Sequence, residues 1–194
     1  ISANEKLACN IKCGEATFDI MGMAAEDFPE MPFVGSDKII RIDGGLLSEM
    51  VKGTFFAAAQ SEGSKPILTG INVTVENGIM QFVAIDGYRL AIRKEKVDIS
   101  DDFSFIVSGR AIGEAVKLID ESTEEVEMKV GNNLISFNIN GYEFISRLLE
   151  GEFVNYKKTI PAEHKQRVVV NTMELIDTVE RVSLLISEAF STPV

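Results

Sequence analysis

The chain has 194 residues, 45% of them hydrophobic, and a formal net charge of −11 from 19 basic and 30 acidic side chains. This composition supports a buried core and excludes disorder, and no apolar run approaches the ~20 residues that cross a bilayer. The acidic balance excludes nucleic-acid binding by overall charge, so any DNA-handling role requires cations segregated on one face.

In chain order, residues 7–23 read as one or two strands broken at Gly14. Cys9 and Cys13 would share a face of that strand but lie ~13 Å apart, too far for a disulfide. The start, Ile1-Ser2-Ala3-Asn4, has neither an initiating Met nor a charged-then-apolar leader, which points to a cytoplasmic protein and an excised fragment. Residues 24–38, with Pro29, Pro32 and Gly35, read as a connector and domain boundary. A short strand over 39–42 leads to Asp43, which caps a predicted helix of about 17 residues with Leu47, Met50, Val51 and Phe55 inward. Strands follow at 67–75 and 79–85, joined by the hairpin signal Asn77-Gly78. Asp86-Gly87 reads as a second tight turn before a strand over 88–93.

The same order then recurs. A strand over 103–107 precedes a helix capped by Ser108 and running to about residue 121, with Ile112, Ala115, Val116 and Ile119 inward. Strands at 126–130, 134–139 and 142–149 are joined by Gly131-Asn132-Asn133 and Asn140-Gly141. A polar linker at 162–166, a strand at 167–170 and a helix from Asn171 to about residue 187 close the chain.

The recurrence is visible in the letters. Ile42-Asp43-Gly44, Leu47, Glu49, Val51 and Lys52 match Val107-Ser108-Gly109, Ile112, Glu114, Val116 and Lys117 at a spacing of 65. Residues 86–93 match 140–147 at a spacing of 54. Residues 40–43, Leu47 and Val51 recur 128 positions later at 168–171, Leu175 and Val179, and Asp27-Phe28-Pro29 answers Glu152-Phe153-Val154 at 125. Matches in consistent order argue against chance and for a fold built by repetition. The fold class is α+β: repeated β-α-β-β-β units, with two helices on one face of antiparallel sheet per domain. The boundaries fall at 1–37, the end of a first domain; 38–161, a complete second; and 162–194, the opening of a third.

No Ser-His-Asp set, phosphate-cradling loop or metal cluster is present, and the lone His164 makes zinc improbable. Asp43 and Asp86 are explained as cap and turn residues. Neither a catalytic residue nor a cofactor or metal is expected. A repeat-built protein-interaction scaffold without a DNA role shares the fold expectation and differs only in lacking a cation stripe on the helices.

Residues 86–91, 105–119 and 147–156 resemble the bacterial DNA polymerase III beta subunit, the sliding-clamp family, over essentially the whole chain. The resemblance implies a DNA replication processivity factor: a homodimeric ring of six similar domains with helices lining a hole around double-stranded DNA. The ring tethers DNA polymerase III through its alpha subunit, and it also engages the clamp loader and other replication and repair proteins through short linear motifs. No membrane is involved, and the fragment by itself is expected to be a monomer. A sliding ring needs few, weak, non-specific phosphate contacts. The candidates are Lys52, Arg110, Lys117 and Arg181 on helices and Lys65 on a loop, with Lys52 and Lys117 singled out by their equivalence in the repeat.

The resemblance also implies a peptide groove. Leu68, Ile85, Gly87, Tyr88, Arg89 and Leu90 match its part beside the tight turn, and Val154, Lys158 and Thr159 match a second wall. Apolar side chains would receive Leu and Phe anchors, Gly87 permits the turn, and Arg89 could hold either a polar peptide group or a carboxylate. The family commonly carries Pro, Arg and Val where Val154, Lys158 and Thr159 stand, and its last wall comes from the C-terminal end of the third domain, so in this fragment the groove is expected to be incomplete and peptide binding weakened. Without the resemblance, Leu68, Ile85 and Leu90 read first as ordinary sheet core.

Overall fold

The structure, a computed structural model, describes residues 1–35, 38–60 and 65–184. It divides into two compact units, Ile1–Val154 and Asn155–Val194. The first unit opens with β1 (Ser2–Ala3), β2 (Ala8–Cys13) and β3 (Ala16–Met21), an antiparallel sheet in that order. Gly14, at φ 60, makes the β2–β3 turn where the sequence breaks. Both cysteines of β2 are free.

The body of this unit is ten elements: β4 (Lys38–Asp43), α1 (Gly44–Phe55), β5 (Gly70–Glu76), β6 (Ile79–Ile85), β7 (Leu90–Lys96), β8 (Phe103–Ser108), α2 (Gly109–Ala115), β9 (Glu125–Val130), β10 (Leu134–Ile139) and β11 (Tyr142–Arg147). They form two antiparallel four-stranded sheets, ordered β7-β6-β5-β8 and β11-β10-β9-β4. The repeat therefore folds by exchange. The opening strand of the first half, β4, pairs with β9 of the second, and β8 of the second half pairs with β5 of the first. Both sheets and both helices feed one apolar core, with Leu47, Met50, Phe82, Ile112, Met128 and Phe137 almost wholly removed from water.

Local chemistry explains the elements. Asp43 Oδ1 accepts from the Leu46 amide at 2.7 Å and Ser108 Oγ accepts from the Ala111 amide at 3.4 Å, so both caps predicted from the repeat are made. Asn77-Gly78 and Asn140-Gly141 all have φ between 50° and 82°, the geometry of two-residue hairpin turns. α2 presents Gly109 and Gly113 to the ring of Phe55 in α1. A β-carbon at Gly113 would sit 3.4 Å from that ring, so the missing side chains let the helices lie against each other.

The repeat also extends to a steric detail. A β-carbon on Gly44 would fall 2.7 Å from the Thr123 carbonyl oxygen, and one on Gly109 would fall 2.9 Å from that of Thr69. Each helix begins where it crosses the backbone entering the other half's sheet, and only hydrogen fits there. Gly44→Ala is expected to destabilise the fold by roughly 1–3 kcal/mol through overpacking, read as a lower urea midpoint with unchanged slope.

Several predicted boundaries are corrected. α1 has 12 residues rather than about 17: the chain leaves it by i→i+3 turns at Ala57 and Ala58 and returns to bond Leu68. Residues 67–69 are not strand, because Pro66 opens a 3-10 helix over Pro66–Thr69. α2 stops at Ala115 and tightens into a 3-10 turn, Val116–Leu118, well short of 121. Residues 86–89 form a four-residue loop, so β7 starts at Leu90 rather than at 88 and runs to Lys96.

The second unit contains a 3-10 helix, Tyr156–Thr159, and α3 (Thr172–Ser183), capped by Asn171 through the Met173 and Glu174 amides. The strand predicted over 167–170 does not form. Its valines are exposed and no described strand pairs with them, and a strand cannot satisfy its backbone alone. The predicted end of the last helix, near residue 187, lies outside the described residues.

Candidate functional site

The exposed surface of the helix pair carries Glu49 and Lys52 on α1, Arg110 and Glu114 on α2, and Lys117 on the 3-10 turn that follows α2. Their inward stripes fix this: Leu47, Met50 and Val51, like Ile112, Ala115 and Val116, are buried, so the intervening positions face water. Three cations thus face two carboxylates, the reverse of the balance of the chain as a whole. Lys52 and Arg110 make no ion pair among the described residues, whereas Lys117 Nζ lies 2.8 Å from Glu114 Oε1. The Glu49 carboxylate is drawn towards Arg93 of β7 at 3.6 Å. Lys65 stands apart, exposed at the start of the 3-10 helix that precedes β5. Arg181 belongs to α3 in the second unit, where its Nε donates to the Asp177 carbonyl at 3.3 Å.

The loop between β6 and β7 gathers most of the residues matched to the peptide groove. Ile85 and Leu90 are cross-strand partners at its base, both half-buried. Leu68 sits in the 3-10 helix leading into β5, the strand beside β6. Gly87 has φ 96 with open space around it, so its conformation, not crowding, calls for glycine. Tyr88 is 99% exposed at the tip and packs on nothing. Val154 is half-buried at the end of the first unit, and Lys158 and Thr159 are exposed residues of the second.

Arg89 is not the free cation that its sequence position suggests. Asp86 Oδ1 accepts from the Tyr88 amide at 3.0 Å and the Arg89 amide at 2.8 Å. Its Oδ2 accepts from Arg89 Nε at 2.9 Å and Nη2 at 2.7 Å. These donors, led by the Arg89 amide, hold the Asp86 carboxyl at about 2, below the usual aspartate value, so it is ionised at any physiological pH. Asp86 is therefore more than the turn residue that the sequence predicts, because it also holds Arg89. The signal was present in the three-residue spacing of an acid and a base, as it was for Glu114 and Lys117.

A separate groove of about 970 Å³ runs between β8 and the β9–β10 turn, beside Leu148 to Phe153. It includes none of the residues matched to the peptide groove.

Two strand-exchanged halves with paired helices over antiparallel sheets define the clamp class of α+β proteins. The family profile of the DNA polymerase III beta subunit, central domain, matches residues 41–155. The beta sliding clamp of Bacillus subtilis is 34% identical over 180 residues, covering 92% of this chain and 47% of that protein. That of Halalkalibacterium halodurans is 33% identical over 192 residues, covering 97% of this chain and 50% of that protein. The crystal structure of the B. subtilis DNA polymerase sliding clamp superposes with a TM-score of 0.86 at 31% identity, covering 97% of this chain and 50% of the other. The chain belongs to the DNA polymerase III beta subunit family, the sliding clamps, and spans about half the length of the curated relatives it matches. The family is non-catalytic, in keeping with the expectation from sequence. Among the described residues, no helix is long and apolar enough to cross a membrane.

Proposed function

We propose that this chain supplies the central part of a ring that encircles duplex DNA and tethers DNA polymerase III to it. The observation that supports this reading most directly is the local reversal of charge. The chain is strongly acidic, yet the exposed face of its helix pair carries a cation majority, two of whose members, Lys52 and Arg110, make no ion pair among the described residues. A face of that kind attracts phosphates weakly and without reading sequence, which suits sliding. Lys117 adds to it when a phosphate competes with Glu114. Lys65 and Arg181 extend the set in the assembled ring. A scaffold without a DNA role has no use for this reversal.

In this reading, residues 1–37 end one clamp domain, 38–161 are the whole of the next, and 162–194 open a third. Two copies of the full-length protein close the ring. Leu68, Ile85, Tyr88 and Leu90 receive the apolar anchors of linear motifs from the polymerase alpha subunit, the clamp loader and repair proteins, with Gly87 shaping the turn and Arg89 at its rim. Val154 adds to the near wall, and Lys158 and Thr159 are carried to a second wall by the family resemblance alone.

Topology provides the test. The full-length protein, loaded on nicked circular DNA, is expected to stay bound at salt concentrations that abolish ordinary phosphate contacts, and to be lost once the circle is cut. Equal loss from circular and linear DNA would show simple binding rather than encirclement.

A further inference from the structure

The sequence leaves two roles open for Arg89: holding a neutral peptide group, or holding a carboxylate. The geometry separates them. An arginine grips a carboxylate best through two parallel N–H groups, and the Nε/Nη2 edge of Arg89 is already given to Asp86 Oδ2 at 2.9 and 2.7 Å. The Asp86 side chain is only 12% exposed and its other oxygen is held by two backbone amides, so it cannot swing away without breaking the turn. Arg89, 54% exposed, keeps its remaining N–H groups for a ligand. The pair is neutral as a unit. An incoming carboxylate meets the Asp86 charge beside the cation it seeks, while a carbonyl oxygen meets only donors.

We propose that Asp86 is a positioning residue that sets the ligand preference of this pocket: by holding one edge of Arg89 and cancelling its charge, it makes the pocket take a neutral main-chain carbonyl in preference to an acidic side chain. This rests on the peptide-pocket reading above and adds a rule for which peptides enter. It also distinguishes two substitutions at one position. In Asp86→Asn the amide oxygen still accepts from the Tyr88 and Arg89 amides, so the turn persists, but the side-chain NH2 cannot accept from the guanidinium. Asp86→Ala removes both functions.

The test uses the full-length protein and two end-blocked hexapeptides with the same Leu and Phe anchors, differing only in a Ser or a Glu beside them. Calorimetry should show the native protein preferring the Ser peptide, and D86N shifting the ratio towards the Glu peptide by about tenfold, the scale of one charge-assisted contact, with melting near native. If D86N melts early, Arg89→Gln gives the complementary reading. It leaves Asp86 uncompensated and should deepen the preference for the Ser peptide. A ratio unchanged in the variant that folds would overturn the role of Asp86 while leaving the pocket intact. Failure of the native protein to bind either peptide would overturn the pocket reading, and the role of Asp86 with it.

Discussion

Lys52→Glu combined with Lys117→Glu, placed in the full-length protein, is expected to cut processive DNA synthesis sharply and to reduce the salt dependence of DNA retention, with little change in melting. Each lysine that neutralises a phosphate contributes a slope of about 0.9 in log K against log salt, so losing two removes nearly two units per subunit. The contributions should be unequal. Lys52 is uncompensated among the described residues, whereas Lys117 is paired with Glu114 at 2.8 Å. The single Lys52→Glu change should therefore account for most of the loss. The fold should tolerate it, because both side chains are exposed and surface ion pairs are worth about 0–1 kcal/mol. Weakened favourable charge at the C-terminal turn of α1 adds only ~0.3–1 kcal/mol. Primer-extension length in a single-encounter assay checks the prediction, and full-length products from the double variant would remove the helical face from the mechanism.

Leu90→Asp carries the other large expected effect. Leu90 is half-buried at the mouth of the β6–β7 loop, paired across the strands with Ile85. A carboxylate there faces the apolar anchors of an incoming peptide, and the charge of the neighbouring Arg89 is already balanced by Asp86. Truncation of a hot-spot contact costs about 2–4 kcal/mol, and placing a charge in an apolar pocket adds to that, so affinity for partner peptides should fall by at least about a hundredfold. Tyr88→Ala makes a clean companion. The ring is 99% exposed and supports nothing in the fold, so any loss of binding reports recognition alone. Calorimetry on the full-length protein settles both, and near-native affinity in Leu90→Asp would return Leu68, Ile85 and Leu90 to the role of plain sheet core.

What the sequence reveals here follows the range of the forces involved. Asn77-Gly78 and Asn140-Gly141 were legible because the turn geometry is decided within two residues. The helix caps at Asp43 and Ser108 were legible for the same reason. The repeat predicted matching halves, but the exchange of β4 and β8 between them was invisible, because either host sheet would bury the same apolar face. The ends of α1 and α2 were misjudged where favourable local propensity yields to the need to turn back into the sheet, as at Ala57 and Ala58. The run 167–170 has strand composition, yet strand structure depends on a neighbour, and composition cannot supply one. At the pocket, the sequence reads Asp86-Gly87 as a turn but assigns Tyr88 and Arg89 to the strand, and the grip of Asp86 on Arg89 emerges only when residues 86–89 bend into one loop.

The exchange of opening strands has a consequence for modularity. A polypeptide holding a single repeat, for instance β4 through β7, would own a helix and three mutually paired strands plus a fourth whose only host lies elsewhere. Such a piece is self-complementary: two identical copies, each lending its first strand to the other, would reproduce the closed ten-element body with true rather than approximate twofold symmetry. The covalent link between β7 and β8 therefore creates no new contact. It converts an encounter between equals into an intramolecular event, independent of concentration, and frees each half to diverge, as Ser48 of α1 and Gly113 of α2, equivalent positions in the repeat, already have.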